Sequence, residues 1–135
     1  SFMKEILNPK DFTPAMWSYS HGMKVDIGNC YMFFVTWQIA MDKDGNPVAP
    51  DNIIKQTEFV FENIIKILQE GWASIDDVVK ATIFVTDITK FKEISSIRNK
   101  YFANSKPVST LVEINKTVKD WCDIEIEVMA IKSKT

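Results

Sequence analysis

The sequence predicts an α+β domain: a mixed sheet with two helices packed on one of its faces. Three observations carry this. Several short stretches rich in β-branched and aromatic residues alternate with period two, two longer stretches repeat their apolar residues at helical spacing, and the order along the chain is ββ, helix, β, helix, ββ. The 135 residues, 46% of them apolar, match one domain whose core needs no disulfide or metal staple, so residues 1–135 are read as one unit.

Taken in order, Met23 to Ile39 reads as a hairpin, two strands around Asp26-Ile27-Gly28-Asn29, where glycine and asparagine tolerate positive φ. Asp42-Lys43-Asp44-Gly45-Asn46-Pro47 is a cluster of turn formers that ends the second strand. From Asp51 the positions Ile54, Phe61, Ile65 and Leu68, widened by Ile53, Val60, Ile64 and Ile67, form an apolar stripe opposite Lys55, Glu58, Glu62, Lys66 and Gln69. Asp51 is the expected cap at its start and Gly71 at its end.

Val78 to Asp87 alternates as a strand, with Val79, Ala81, Ile83 and Val85 inward and Phe84 on the polar side. Thr89 to Phe102 reads as the second helix, with Phe91, Ile94, Ile97 and Tyr101 inward, and Asn104-Ser105-Lys106-Pro107 breaks it. Two strands follow. Ser109 to Asn115 puts Thr110, Val112 and Ile114 on one face, and Cys122 to Ile131 opposes Cys122, Ile124, Ile126, Val128 and Ala130 to Asp123, Glu125 and Glu127. With both helices on one face, the other face needs cover, and a second copy of the chain is the expected source.

Composition excludes several functions. A net charge of -2 with interspersed signs gives no basic stripe for nucleic acid or an anionic membrane, so neither is expected as a partner. Cys30 and Cys122 have no metal spacing and read as small buried hydrophobes. No run approaches the ~18 apolar residues of a membrane span, and Ser1 to Pro14 is polar without a signal-peptide shape, so a reducing, cytoplasmic setting is expected and Asn115-Lys116-Thr117 is not read as a glycosylation site. No metal or other cofactor is expected.

Asp123, Glu125 and Glu127 project from one strand face, where two readings stay open: a cation or acid/base site, or a solvated strand face, with the central Glu125 the least solvated of the three. His21, the single histidine, lies in Trp17-Ser18-Tyr19-Ser20-His21-Gly22 with no triad or zinc partners around it and reads as a loop-fixing residue.

Several stretches together resemble the RidA/YjgF family, small trimeric proteins that hydrolyse reactive imine and enamine intermediates. Tyr19-Ser20-His21-Gly22 is similar to the family's Tyr-Ser-Gln-Ala/Gly segment and Thr36-Trp37-Gln38-Ile39 to its Ser-Gly-Gln-Ile. Ser74 to Asp87 resembles its most recognisable strand, Pro107-Val108-Ser109-Thr110-Leu111-Val112-Glu113-Ile114 its Pro-Ala-Arg-Ser/Thr-x-Val-Glu-Val, and Ile124-Glu125-Ile126-Glu127 its closing Ile-Glu-Ile-Glu. The resemblance implies a bacterial chorismate-mutase-like fold, a homotrimer and a small-molecule cleft between subunits. It also implies that the arginine of Pro-Ala-Arg grips a substrate carboxylate and that Glu125 positions the attacking water. The remaining cleft residues it implies are Tyr19, Thr36, Trp37, Ser109 and Leu111.

The sequence departs from that pattern at two cleft positions, with Ser109 where the arginine belongs and Trp37 where the glycine belongs. One neutral hydroxyl replaces a charge-assisted fork, a loss of several kcal/mol for a partly buried carboxylate, so a 2-imino acid is expected to bind poorly. Trp37 either fills the cleft or offers a stacking wall to a flatter, less anionic ligand. The expectation is therefore a family member that binds a small molecule without arginine-dependent deamination, with an active imine or enamine deaminase for a less anionic substrate as the alternative. A ribonuclease would need a basic patch or a histidine pair.

Overall fold

The computed structural model describes residues 3–15 and 18–135; Trp17 lies outside them. The hairpin predicted at Asp26 to Asn29 is present, joining β2 (Gly22–Asp26) to β3 (Cys30–Gln38) in antiparallel register with Met23 opposite Phe34 and Val25 opposite Met32. Its turn closes with the Ile27 N–H donating to the Cys30 carbonyl at 3.1 Å, and Gly28 takes φ +107°, a conformation that a Cβ disfavours. Met3–Asp26 backbone pairing leads into β1 (Lys4–Leu7), an edge strand that pairs with β2. The sequence reading missed β1, so the order is βββαβαββ rather than ββαβαββ. Leu7 is the buried anchor that makes so short and otherwise exposed a strand hold.

After the Asp42 loop comes α1 (Ile53–Glu70), then β4 (Val78–Val85), α2 (Phe91–Tyr101), β5 (Val108–Glu113) and β6 (Ile124–Ser133). The six strands form one mixed sheet in the order β1-β2-β3-β6-β4-β5, antiparallel throughout except for β4 with β5. Both helices cover one face. Val60, Phe61, Ile64, Ile67 and Leu68 of α1 and Ile94 and Ile97 of α2 pack on Phe33, Val35, Ala81, Ile83, Val85, Ile124, Ile126 and Val128 in one buried cluster.

Several expectations are corrected. Asn52, not Asp51, caps α1, its Oδ1 accepting from the Lys55 N–H at 3.1 Å, because Asp51 is turned to φ +62° in the preceding bend. Ile54 is exposed, while Gln56 and Thr57 take its expected place inside. Gly71 does end α1, but with φ -101°; its lack of a side chain matters because a Cβ there would stand 2.7 Å from Phe33 Cε1 and 3.2 Å from Leu7 Cδ1. Val79 is exposed instead of inward, since the β4–β6 register slips between Val78 and Lys80 and Val79 is the extra residue of that bulge. Residues 88–90 form a separate 3-10 turn capped by Asp87, and Phe91, expected inward, is exposed at the start of α2 beside Arg98.

Among the described residues no helix or strand covers the opposite face of the sheet. Register and alternation place Ile6, Phe34, Val108, Val112 and Ile131 on it, all of them exposed, together with Met23, Met32, Phe84 and Met129. Among the described residues no helix is long and apolar enough to cross a membrane.

Candidate functional site

Glu125 stands on that helix-free face of β6, directly opposite Phe84 of β4 and two residues from Glu127. It is 8% exposed, unusual for a carboxylate, and burial pushes its pKa above the ordinary 4.5. The neighbouring Glu127 charge acts in the same direction, and the Val118 backbone nearby acts against both. A carboxyl so placed holds or releases a proton nearer neutrality than a solvated one, the property an acid/base residue requires. Asp123, its neighbour toward the chain start, is occupied: its Oδ1 accepts from the Thr86 hydroxyl at 2.9 Å. The three acidic residues therefore do not act as one cation site, and among the described residues no His, Cys, Asp and Glu group is placed to hold a metal ion.

Beside Glu127 the face dips into a concavity of about 420 Å³. Ser20, Thr36, Lys80, Thr82 and Glu127 supply its polar groups on an apolar floor that includes Phe34. Lys80 and Thr82 were not singled out as site residues from the sequence, although strand alternation puts them on the same face as Glu127.

Thr36 and Trp37 occupy a second bulge, where Val35 pairs with Val128 but Gln38 already pairs with Ile126. The extra residue turns Trp37 outward, 38% exposed, and the Gln38 amide secures the bulge by donating to the Thr36 carbonyl at 3.3 Å. Thr36 N–H donates to the His21 carbonyl at 3.0 Å, tying the bulge to the segment that carries Tyr19. Tyr19 is half exposed, its ring edge-on to the His21 imidazole at 6.0 Å.

His21 fixes loops, as its sequence context predicts. Its Nε2 lies 2.7 Å from the Thr13 carbonyl, its backbone N–H donates to Asn8 Oδ1 at 2.8 Å, and Phe12 packs edge-on to the ring.

Ser109 and Leu111 lie on β5, opposite Ala81 and Ile83 of β4. Ser109 is exposed and Leu111 packs against the core. β6 and β4 separate β5 from β3, so within one chain Ser109 and Leu111 stand about 14 Å, three strand spacings, from Thr36 and Trp37. One chain thus presents two half-sites, Tyr19-Thr36-Trp37 and Ser109-Leu111; Glu125 is on a strand between them but on the helix-free face, whereas the register puts Ser109 and Leu111 on the helix side with Ala81 and Ile83. The chain's only arginine, Arg98, belongs to neither: it sits on α2, over the Phe91 ring and within 3.3 Å of Asn99 Oδ1.

Comparison with known proteins agrees with this architecture. Residues 11–132 match the family model described as Endoribonuclease L-PSP. A RutC family protein of Pyrococcus abyssi is 36% identical over 96% of this chain and 98% of its own length, and the mitochondrial protein MMF1 of Saccharomyces cerevisiae is 34% identical over 88% and 78%. Among solved structures, yeast Mmf1 superposes with a TM-score of 0.84 at 30% identity, covering 97% of this chain and 100% of that one. Escherichia coli TdcF, solved with bound serine, gives 0.81 at 26% identity over 96% and 99%. With one model spanning nearly the whole sequence and relatives above 30% identity over most of it, this chain belongs to the RidA/YjgF family, the endoribonuclease L-PSP family of that model.

Proposed function

We propose that this chain assembles as a homotrimer and binds a small molecule in clefts between subunits, without the arginine-dependent deamination of 2-imino acids. The observation that carries this reading is the missing guanidinium; Lys80, beside Glu127, is a point-charge ammonium without the bidentate fork of an arginine. Ser109 stands where the family has its carboxylate-gripping arginine, and the chain's one arginine is engaged on the helix layer, across the sheet from Glu125. A hydroxyl cannot replace a bidentate guanidinium, so an anionic substrate loses its strongest anchor. The uncovered sheet face supports assembly, and the separation of the two half-sites supports a cleft completed by a neighbouring copy. The bound serine of TdcF supports a small polar ligand as the kind of molecule this fold accommodates. Trp37, outward on its bulge, favours a flatter and less anionic one. A cytoplasmic location belongs to the same proposal.

One observation favours a second reading. Glu125, with its carboxyl pushed up by burial, is equipped to handle a proton, so an imine or enamine deaminase acting on a less anionic substrate is the alternative. Ribonuclease action has less support, since the single histidine is tied to Thr13 and the net charge is negative.

The test is to generate 2-aminoacrylate or a branched-chain imine with an amino-acid oxidase and follow its hydrolysis with and without this protein. No acceleration is expected. Acceleration that disappears in Glu125→Ala would replace the first reading with the second. Ser109→Arg combined with Trp37→Gly is the reverse test, expected to create activity if those two positions alone disable the cleft. Sedimentation or native mass spectrometry tests the trimer.

A further inference from the structure

Five polar side chains converge on the concavity of the helix-free face: Lys80 and Thr82 of β4, Glu127 of β6, Thr36 of β3 and Ser20 ahead of β2. Polar groups elsewhere are engaged, with Thr86 donating to Asp123 at 2.9 Å, Tyr101 to Glu62 at 2.7 Å, and Lys134 meeting Asp26 at 2.8 Å. The five around the concavity make no side-chain hydrogen bond or ion pair with any described residue. Strand register explains why they gather. Thr82 is directly opposite Glu127, and Lys80, opposite Met129, is the diagonal neighbour of Glu127 on the same face. Such a diagonal pair is close enough for an ion pair, yet Lys80 and Glu127 make none, so two opposite charges line one space of about 420 Å³ without meeting.

The floor between these groups is apolar. Met23 and Phe34 are cross-strand partners on β2 and β3, and Met129 faces Lys80 across the β4–β6 ladder. An apolar surface bordered by a few unpartnered polar groups is the composition of a small-molecule site. A ligand of single charge is attracted by one of the two charged side chains and repelled by the other. Cover by a second copy would withdraw both from water, where each needs a partner. A molecule that carries an acid and an amine on a short apolar frame meets both charges and the floor at once.

We propose that this concavity binds a small, net-neutral zwitterion, an amino-acid-like molecule whose carboxylate rests on Lys80 and whose ammonium rests on Glu127. The Ser20, Thr36 and Thr82 hydroxyls serve its remaining polar atoms, and Phe34 with the methionines carries its apolar part. The inference rests on the reading of the chain as a small-molecule binder and names the chemical class of the ligand. It also shows why a point-charge lysine suffices: the ligand brings its own positive charge, which Glu127 meets, so no guanidinium fork is needed. Thr36 belongs to the Tyr19-Thr36-Trp37 half-site as well, so the concavity extends that half-site across the sheet toward β4.

The experiment is titration calorimetry of the full chain with L-leucine and ε-aminocaproate, two zwitterions that differ in charge separation. Isocaproate and isoamylamine are leucine without its amine or its carboxyl, and caproate and pentylamine are the same controls for ε-aminocaproate. Saturable binding of at least one zwitterion is expected. Removing either charge from the ligand, or either partner by Lys80→Met or Glu127→Gln, should weaken it roughly tenfold or more, since each change deletes one charge-assisted contact. Lys80 is exposed and glutamine matches glutamate in shape, so neither variant disturbs the core, and amide shifts at Thr36 and Thr82 in NMR spectra locate the ligand independently. If neither zwitterion binds, the proposal is overturned, and the imine assay still decides the broader reading. A single-charge analogue that binds as tightly as its zwitterion also overturns it. So does binding that is lost in Trp37→Ala or Ser109→Ala but unchanged in Lys80→Met and Glu127→Gln, an outcome that leaves the small-molecule reading standing.

Discussion

His21 Nε2 lies 2.7 Å from the Thr13 carbonyl, which obliges that nitrogen to carry the proton and leaves Nδ1 unprotonated toward the Gln38 amide, 3.5 Å away. One ring therefore joins the segment before β2 to the end of β3. His21→Ala is expected to cost about 1–2 kcal/mol by orphaning the half-buried Thr13 carbonyl. Thermal unfolding checks this, and an unchanged midpoint would show that water replaces the imidazole without loss.

Gly71 is required by closeness, not by its backbone angle. A methyl group there would press on the Phe33 ring and Leu7, both fully packed, so Gly71→Ala should destabilise the fold by about 1–3 kcal/mol despite alanine's better helix propensity. Denaturant unfolding at fixed protein concentration measures it. A gain in stability would mean that β1 yields easily.

Stability should fall as pH rises through the titration of Glu125. Its folded carboxyl holds a proton more tightly than the unfolded one, which titrates near 4.5, so over that interval the native state binds more protons. The sign follows: the penalty for a buried charge is absent below the unfolded value and fully present above the folded one. Glu125→Gln removes it. Urea unfolding from about pH 4 to about pH 7 should show wild type losing more stability than the variant, and parallel curves would refute this.

Cys122 should resist alkylation in the native protein. Burial pushes its thiol up to about 11, and its Sγ lies 3.8 Å from the Ala40 carbonyl. At pH 8 only about one thiol in a thousand is then ionised. Peptide mass spectrometry after brief iodoacetamide treatment checks the outcome; labelling as fast as in the urea-unfolded chain would contradict it.

Much of this fold was legible because period and punctuation agree. The hairpin at Asp26 to Asn29, the α1 stripe and the alternation of β6 were each fixed by residues within a few positions of one another. The errors arose where distant contacts decide. β1 has one buried residue, Leu7, and gains its ladder only from β2; Val79 looked inward until the slip against β6 made it a bulge residue. Phe91 reads as core by spacing, yet the turn at residues 88–90 rotates the start of α2 toward solvent.

The site divided in the same manner. Glu125 was singled out as the central one of the three acidic residues, and its 8% exposure agrees, although it stands second in β6 and Glu127 lies nearer the middle of that strand. The positions of Tyr19, Trp37 and Ser109 followed from resemblance alone, since nothing in their local pattern says which strand each will approach.

The placement of β6 between β3 and β4 has a consequence for how the molecule is made. Strands one to three and strands four and five share no ladder of their own, so they remain two unjoined pieces until residues 124–133 are available to be laid between them. Folding during synthesis must wait for that stretch to clear the ribosome, and the long sequence separation of the β3–β6 contacts makes the closing step slow compared with hairpin or helix formation. Until that moment Phe33 and Ile83, buried in the finished protein, have no common strand to pack beside, so their apolar surface stays uncovered longer than a hairpin or helix takes to form.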